Sequence, residues 1–189
     1  MAELSLTALS PLGGYERQFG NALLRENTDL AIVAVSIPRG SAAQIAEAVT
    51  QAYQCDMPAT GQSVLSQDGK TRLLGMAADQ FFVIYAYDGL DAVQQVSKAL
   101  NGQGYFVDQS HNWVALTLSG PLCRAALERI CPINLHPEKF PLNAMARTQM
   151  EHLSAVVVRT EPDGFLLLSP SSSAQSFLHA VETSLRYVS

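Results

Sequence analysis

Cys131 and His136 stand five residues apart in the segment Cys131-Pro132-Ile133-Asn134-Leu135-His136-Pro137. A thiol near an imidazole is the pairing that generates a thiolate nucleophile, because the imidazole takes the proton that the thiol must lose. No third group that would orient the base is identifiable, and Cys131 closes an apolar helical stripe where small thiols are ordinary filler. Packing is therefore the better reading of Cys131, and a fixed turn the better reading of His136. Asp108, Ser110 and His111 offer the three residue types of a hydrolytic triad, but within four consecutive positions. Neighbouring side chains on an extended backbone point apart, whereas a triad assembles from distant segments. A polar turn is the better reading here too.

The other candidates are weaker. Glu151 and His152 fall at the tip of an expected hairpin, and His179 on the polar side of the last helix. The four histidines and three cysteines (Cys55, Cys123, Cys131) show neither metal-ligand spacing nor a CxxC pair. Gly102-Gln103-Gly104 follows a helix rather than opening one, so neither a dinucleotide fingerprint nor a phosphate-binding loop is present. The three serines Ser171, Ser172 and Ser173 could hold an anion at a helix start, although capping explains them more simply.

The elements that position these residues read in two rounds. Residues 30–37 form a continuous apolar β-branched run, as expected of a strand covered on both faces. A helix follows from Ser41, with Gln44 completing a capping box and Ile45, Ala48, Val49, Ala52 and Tyr53 on its buried stripe. Two strands over residues 72–77 and 80–87, a helix capped by Asp88 and closed at Asn101-Gly102, and a short strand at residues 105–108 complete the first round. The second begins with residues 113–119, where Val114, Leu116 and Leu118 share one face. Gly120-Pro121 opens a helix with proline at its first position. Strands near residues 144–150, 153–160 and 165–168 lead to a last helix capped by Ser172 and Gln175 and buried through Ala174, Phe177, Leu178, Val181 and Leu185. Ile32 corresponds to Val114 and Leu100 to Leu185, at offsets of 82 and 85. The expected fold class is α+β: two ferredoxin-like βαββα(β) units with mostly antiparallel sheets. The expected division is an extended, partner-contacting segment at residues 1–29, a first unit at 30–109 and a second at 110–189, packed as one body. Strand aromatics (Phe81, Phe82, Tyr85, Tyr87, Tyr105, Trp113, Phe165) are expected in the core, with any outward-facing ones at a subunit contact.

The 189 residues are 48% hydrophobic and 15% charged, with a net charge of -5. That suffices for a sizeable core, and charge this sparse suggests apolar surface covered by a partner. Lys70, Lys98 and Lys139 form no basic stripe, so neither nucleic acid nor an anionic membrane is an expected partner. No apolar run nears the ~20 residues of a membrane span. Unpaired cysteines without an export signal lead to the expectation of a cytoplasmic protein.

From residue 107 onward the chain resembles the gamma subunit of heterotetrameric sarcosine oxidase and, more distantly, the folate-binding aminomethyltransferase family. The resemblance is carried by Asp108-Gln109-Ser110-His111, Leu116-x-Leu118-x-Gly120-Pro121, Leu127, the Cys131-to-Pro137 segment with Pro132 and Leu135, Phe140, Thr148 and Gly164-Phe165-x-Leu167. The Cys-Pro-Ile-x-Leu-His-Pro element with Phe140 and Thr148 marks the gamma subunit, whereas Asp-x-Ser-His belongs to the wider group. Asn134 replaces the usual aspartate, and Asn143 stands near a usual glycine, a mild change because asparagine tolerates left-handed backbone. The resemblance implies an accessory subunit, inactive alone, in a complex that oxidatively demethylates sarcosine to glycine, a one-carbon unit and hydrogen peroxide. It implies alpha and beta, and possibly delta, subunits as partners, with FAD, FMN, NAD and tetrahydrofolate on those larger chains and no cofactor, metal or catalytic residue here. The alternative is a stand-alone folate-binding one-carbon transferase. Against it, residues 149–155 lack the aspartate with which the aminomethyltransferases orient folate.

Overall fold

The computed structural model of the chain describes residues 9–87 and 89–189. Its elements run β1 (Glu16–Phe19), β2 (Ala22–Glu26), β3 (Leu30–Ser36), α1 (Ala42–Tyr53), β4 (Ser63–Leu65), β5 (Thr71–Ala77), β6 (Gln80–Ala86), α2 (Ala92–Ala99), β7 (Tyr105–Asp108), β8 (Trp113–Ser119), α3 (Cys123–Ile130), β9 (Met145–Met150), β10 (Leu153–Glu161), β11 (Gly164–Pro170) and α4 (Ala174–Val188). A 3₁₀ turn at Ser171–Ser173 precedes α4. Among the described residues no helix is long and apolar enough to cross a membrane.

Two sheets result, in the orders β4-β5-β6-β3-β7 and β1-β2-β8-β11-β10-β9. All pairings are antiparallel. Strands with two apolar faces need cover on both sides, and three core layers supply it. Val33, Val35, Leu73 and Val83 pack with Ile45, Val49, Val96 and Leu100 of α1 and α2. Val114, Leu116 and Leu118 pack with Leu127, Phe177, Val181 and Leu185 of α3 and α4. Between the sheets, Ile32, Ala34, Leu74 and Phe82 meet Ala115, Val156, Val158 and Leu168. The molecule is a four-layer α/β/β/α sandwich, in which each fully buried aliphatic side chain contributes about 1.5–3 kcal/mol. The expected α+β class of two related, mostly antiparallel units is the observed one.

The units correspond strand for strand. β3, β5, β6 and β7 stand in space as fourth-first-third-second, the ferredoxin-like arrangement; β8, β10 and β11 repeat it, with β4 and β9 as matching additions. The fourth strand of the second unit is not C-terminal, however. It is β2, from the start of the chain, which pairs with β8 through Leu23↔Ser119 to Glu26↔Leu116. Residues 16–26 are thus a hairpin inside the second sheet rather than a separate extended arm, and residues 1–8 lie outside those described.

Local expectations met mixed outcomes. Asn101 and Gly102 adopt left-handed conformations (φ 53° and 70°) and close α2 as expected, and Asn143 does likewise at 65°. Asp88 lies outside the described residues, and α2 is capped by Asp91, whose side chain accepts the Gln94 N–H at 3.0 Å. The two capping boxes do not form. Ser41 makes no side-chain cap bond, and the 3₁₀ turn displaces the start of α4 beyond Ser172, so neither serine reaches a helical amide. α3 begins at Cys123, leaving Pro121 in the turn before it. On α1, Ala52 is exposed rather than on the buried stripe.

Candidate functional site

The chain crosses between the sheets twice, through residues 27–29 and through residues 109–112, and both crossings occur at the same end of the sandwich. A cavity of about 560 Å³ lies between them, walled by the start of α4 and by residues 9–11. Asp108, Ser110, His111, Trp113, Tyr87 and Glu26 all line it. The structure therefore brings the Asp-x-Ser-His element to one wall of a real cavity. Its hydrogen bonds nonetheless build a turn. Asp108 Oδ1 accepts the Ser110 N–H at 2.8 Å, and Ser110 Oγ accepts the Ile32 N–H at 3.0 Å. The Ser110 hydroxyl oxygen thus fastens the second crossing to β3, while His111 is exposed.

Glu26 is the cavity residue that sequence reasoning missed. Only 4% exposed, its carboxylate gathers three donors: Ser10 O–H and Leu12 N–H at 3.0 Å each, and Gly14 N–H at 2.7 Å. A buried carboxylate needs such donors to offset lost hydration. Here they come from the segment leading into β1. The sequence signal was slight, a glutamate beside Arg25 after the short Ala22-Leu23-Leu24 run.

The Cys131-to-Pro137 segment lies elsewhere, on the helix side of the second sheet. Cys131, Leu135 and Phe140 are buried in the core beneath α3 and α4, whereas Pro132, His136 and Pro137 are exposed. Burial pushes the Cys131 thiol up, with smaller opposing contributions from the Ile133 N–H and the Thr148 hydroxyl. That is the reverse of nucleophile activation. His136 Nδ1 accepts the Glu138 N–H at 3.4 Å, and the His136 carbonyl accepts the N–H groups of Lys139 and Phe140 at 2.9 and 2.8 Å. Asn134 Oδ1 accepts the His136 N–H at 3.0 Å. Arg159, 8% exposed, donates to the carbonyls of Phe140 (3.0 Å) and Pro162 (2.7 Å), tying this loop to β10. An arginine within a Val-Val-Val strand gave no sequence hint of that role. Gly120 lets the Asn21 carbonyl approach, since a Cβ there would sit 2.0 Å from that oxygen.

Glu151 and His152 both take positive φ (47° and 69°), forming a two-residue hairpin loop between β9 and β10. The Ser154 carbonyl is occupied by the Ser169 hydroxyl at 2.9 Å. The first residues of β10, Leu153, Ser154 and Ala155, carry no carboxylate. Among the described residues no three His, Cys, Asp or Glu side chains group as metal ligands do. The aromatics divide: Phe81, Phe82 and Phe165 are buried, Trp113 is half-buried edge-on to Phe82 (ring centres 5.8 Å apart), and Tyr87 and Tyr105 are exposed rather than in the core.

A paired-unit α/β/β/α sandwich of this kind recurs in solved structures. Aminomethyltransferase T of the Bartonella henselae glycine cleavage system matches with a TM-score of 0.63 at 18% identity, over 85% of this chain and 45% of that one. A chain of the heterotetrameric sarcosine oxidase from Corynebacterium sp. U-96, solved with pyrrole 2-carboxylate, matches with a TM-score of 0.76 at 22% identity, over 91% and 87%. Sequence narrows this further. The sarcosine oxidase gamma subunit family matches residues 39–184. Sarcosine oxidase subunit gamma of Corynebacterium sp. (strain P-1) is 29% identical over 163 residues, 85% of this chain and 78% of the relative. The Arthrobacter sp. subunit gamma is 30% identical over 150 residues, 79% and 72% respectively. The chain belongs to the sarcosine oxidase gamma subunit family.

Proposed function

We propose that this chain is the accessory gamma subunit of a heterotetrameric sarcosine oxidase, and that it lends surface and stability to larger subunits rather than reacting groups. One observation carries the reading. The segment that marks the family spends its thiol, leucine and phenylalanine on packing and its histidine on an exposed turn. In this reading the complex is a flavin-dependent oxidase of the sarcosine C–N bond working in the cytoplasm. FAD, FMN, NAD and tetrahydrofolate reside on the alpha, beta and possibly delta chains. Exposed Tyr87 and Tyr105 suit an interface, and obligate interfaces of this kind bury upwards of ~2,000 Å².

Co-expression with the larger subunits tests the proposal. The purified complex should contain this chain, bound flavin and sarcosine-dependent peroxide production, while the chain alone shows none. Sarcosine turnover by the isolated chain, or its binding of tetrahydrofolate at millimolar concentration, would refute it.

A further inference from the structure

The two units differ at one edge. In hydrogen-bond register, Ser36 opposite Tyr105 corresponds to Ser119 opposite Leu23, and Val33 opposite Asp108 to Leu116 opposite Glu26. Hence β7 is the counterpart of β2, Phe106 of Leu24 and Asp108 of Glu26. β2 carries β1 on its outer side, whereas β7 ends its sheet. Leu24 is fully buried and Phe106 only half so.

The main-chain parity is also shared. Ile37 N–H bonds to Asp79, and Gln109 N–H bonds to the Ile32 carbonyl, so even-numbered residues of β3 face β7. Phe106 and Asp108 therefore direct their N–H and C=O groups away from β3. Their counterparts Leu24 and Glu26 direct theirs to β1, where Glu26 N–H meets the Tyr15 carbonyl at 2.7 Å. The carboxylates complete the comparison. Glu26 binds three donors from residues 10–14 that lead into β1, while exposed Asp108 holds only the Ser110 N–H among the described residues. Edges are usually blunted by lysine, proline or a bulge. β7 is only four residues long and ends in one charge, Asp108, but it has no lysine, proline or bulge and presents Tyr105 (67% exposed) and Val107 (53%) along an edge that no strand of the described residues pairs.

We propose that β7 receives an antiparallel strand from one of the larger subunits, and that Asp108 accepts the main-chain N–H groups of the turn leading into it. The inference rests on reading the chain as a subunit. Strand addition of this type draws its affinity from main-chain bonds. A second copy offering its own β7 has few donors left to supply. The residues before that strand spend theirs within the chain, Gly102 N–H on Ser97 and Gln103 N–H on Leu100. The guest segment is extended for about four residues and follows a tight turn with free amides, as residues 10–15 do for β1.

Hydrogen exchange of Tyr105–Asp108 in the isolated chain and in the purified complex is the test. The amides of Phe106 and Asp108 exchange freely in the isolated chain and slow by about a hundredfold or more in the complex, while Tyr105 and Val107 are protected in both. Asp108→Ala lowers the melting of the isolated chain only by the roughly 2–4 °C expected from its one exposed turn bond to Ser110, and weakens assembly by roughly ten- to hundredfold, the loss expected of a charge-assisted hydrogen bond. A complex that forms normally with these amides still exchanging freely overturns the strand and leaves the subunit reading intact. Protection already present in the isolated chain overturns the partner as its source. Failure of the wild-type chain to co-purify with the larger subunits removes both.

Discussion

Replacing Glu26 by alanine tests whether one buried carboxylate holds the N-terminal segment to the body. The substitution deletes three hydrogen bonds to residues 10, 12 and 14. A hydrogen bond to a charged group is worth about 1.5–3 kcal/mol. Leu12 and Gly14 are not deeply buried, so water recovers part of each loss. A total near 3–4 kcal/mol follows, and for a chain of this length about 2–4 °C per kcal/mol gives a fall in Tm of roughly 10 °C. Glu26→Gln keeps one acceptor but turns an amide donor toward the remaining N–H groups, and should lose about half as much. Calorimetry reads the fall, and exchange of the Leu12 and Gly14 amides locates it. An alanine variant that melts within about 2 °C of wild type with both amides still protected would refute the reasoning.

Cys131→Ala should lower stability by about 1–3 kcal/mol in chemical denaturation while sarcosine oxidation by the assembled complex is unchanged; lost turnover with intact assembly would restore a thiol role. Gly120→Ala places a Cβ 2.0 Å from the Asn21 carbonyl at a φ of +114°, so the hairpin must part from α3, a cost of about 3 kcal/mol or more visible as a lower denaturation midpoint. Stability should also fall in alkali. Burial, helped by Asp163, raises the Cys123 thiol from 9.0 to about 12. Between those values the unfolded chain releases a proton that the folded one keeps, so the stability held below pH ~9 is lost toward pH ~12. Cys123→Ala should flatten that part of a pH–stability curve, and a curve as steep as wild type would contradict the assignment.

The sequence made the two units readable because their strands and helices carry unbroken patterns. Residues 30–37 could only be a doubly covered strand, and Phe177, Val181 and Leu185 only one face of a helix. The repeat offset near 83 appears in the matched registers of β3 and β8. The β1–β2 hairpin escaped notice because its partner, β8, lies some ninety residues away, and Glu16-Arg17-Gln18 looks like solvated chain. Side-chain caps were misjudged at Ser41 and Ser172 because the serine–glutamine spacing says nothing about the backbone angle at the helix start. The Asp108–His111 and Cys131–Pro137 elements were visible as composition. What they serve was set by geometry: hydrogen bonds that close a turn in one case, and the alternation of buried and exposed positions in the other. The cavity could not be read at all, because five distant segments wall it.

The hairpin's membership in the far unit has a consequence for biosynthesis. β1 and β2 leave the ribosome long before β8 and must wait, unburied, until it emerges, since an isolated two-stranded ribbon is marginal in water. The middle of the chain can close its own sheet during that interval, with β7 in the place that β2 later fills opposite. Trimming the N-terminus therefore wounds the C-terminal half, and a permuted gene opened between β2 and β3 would restore to each half a contiguous stretch of polypeptide.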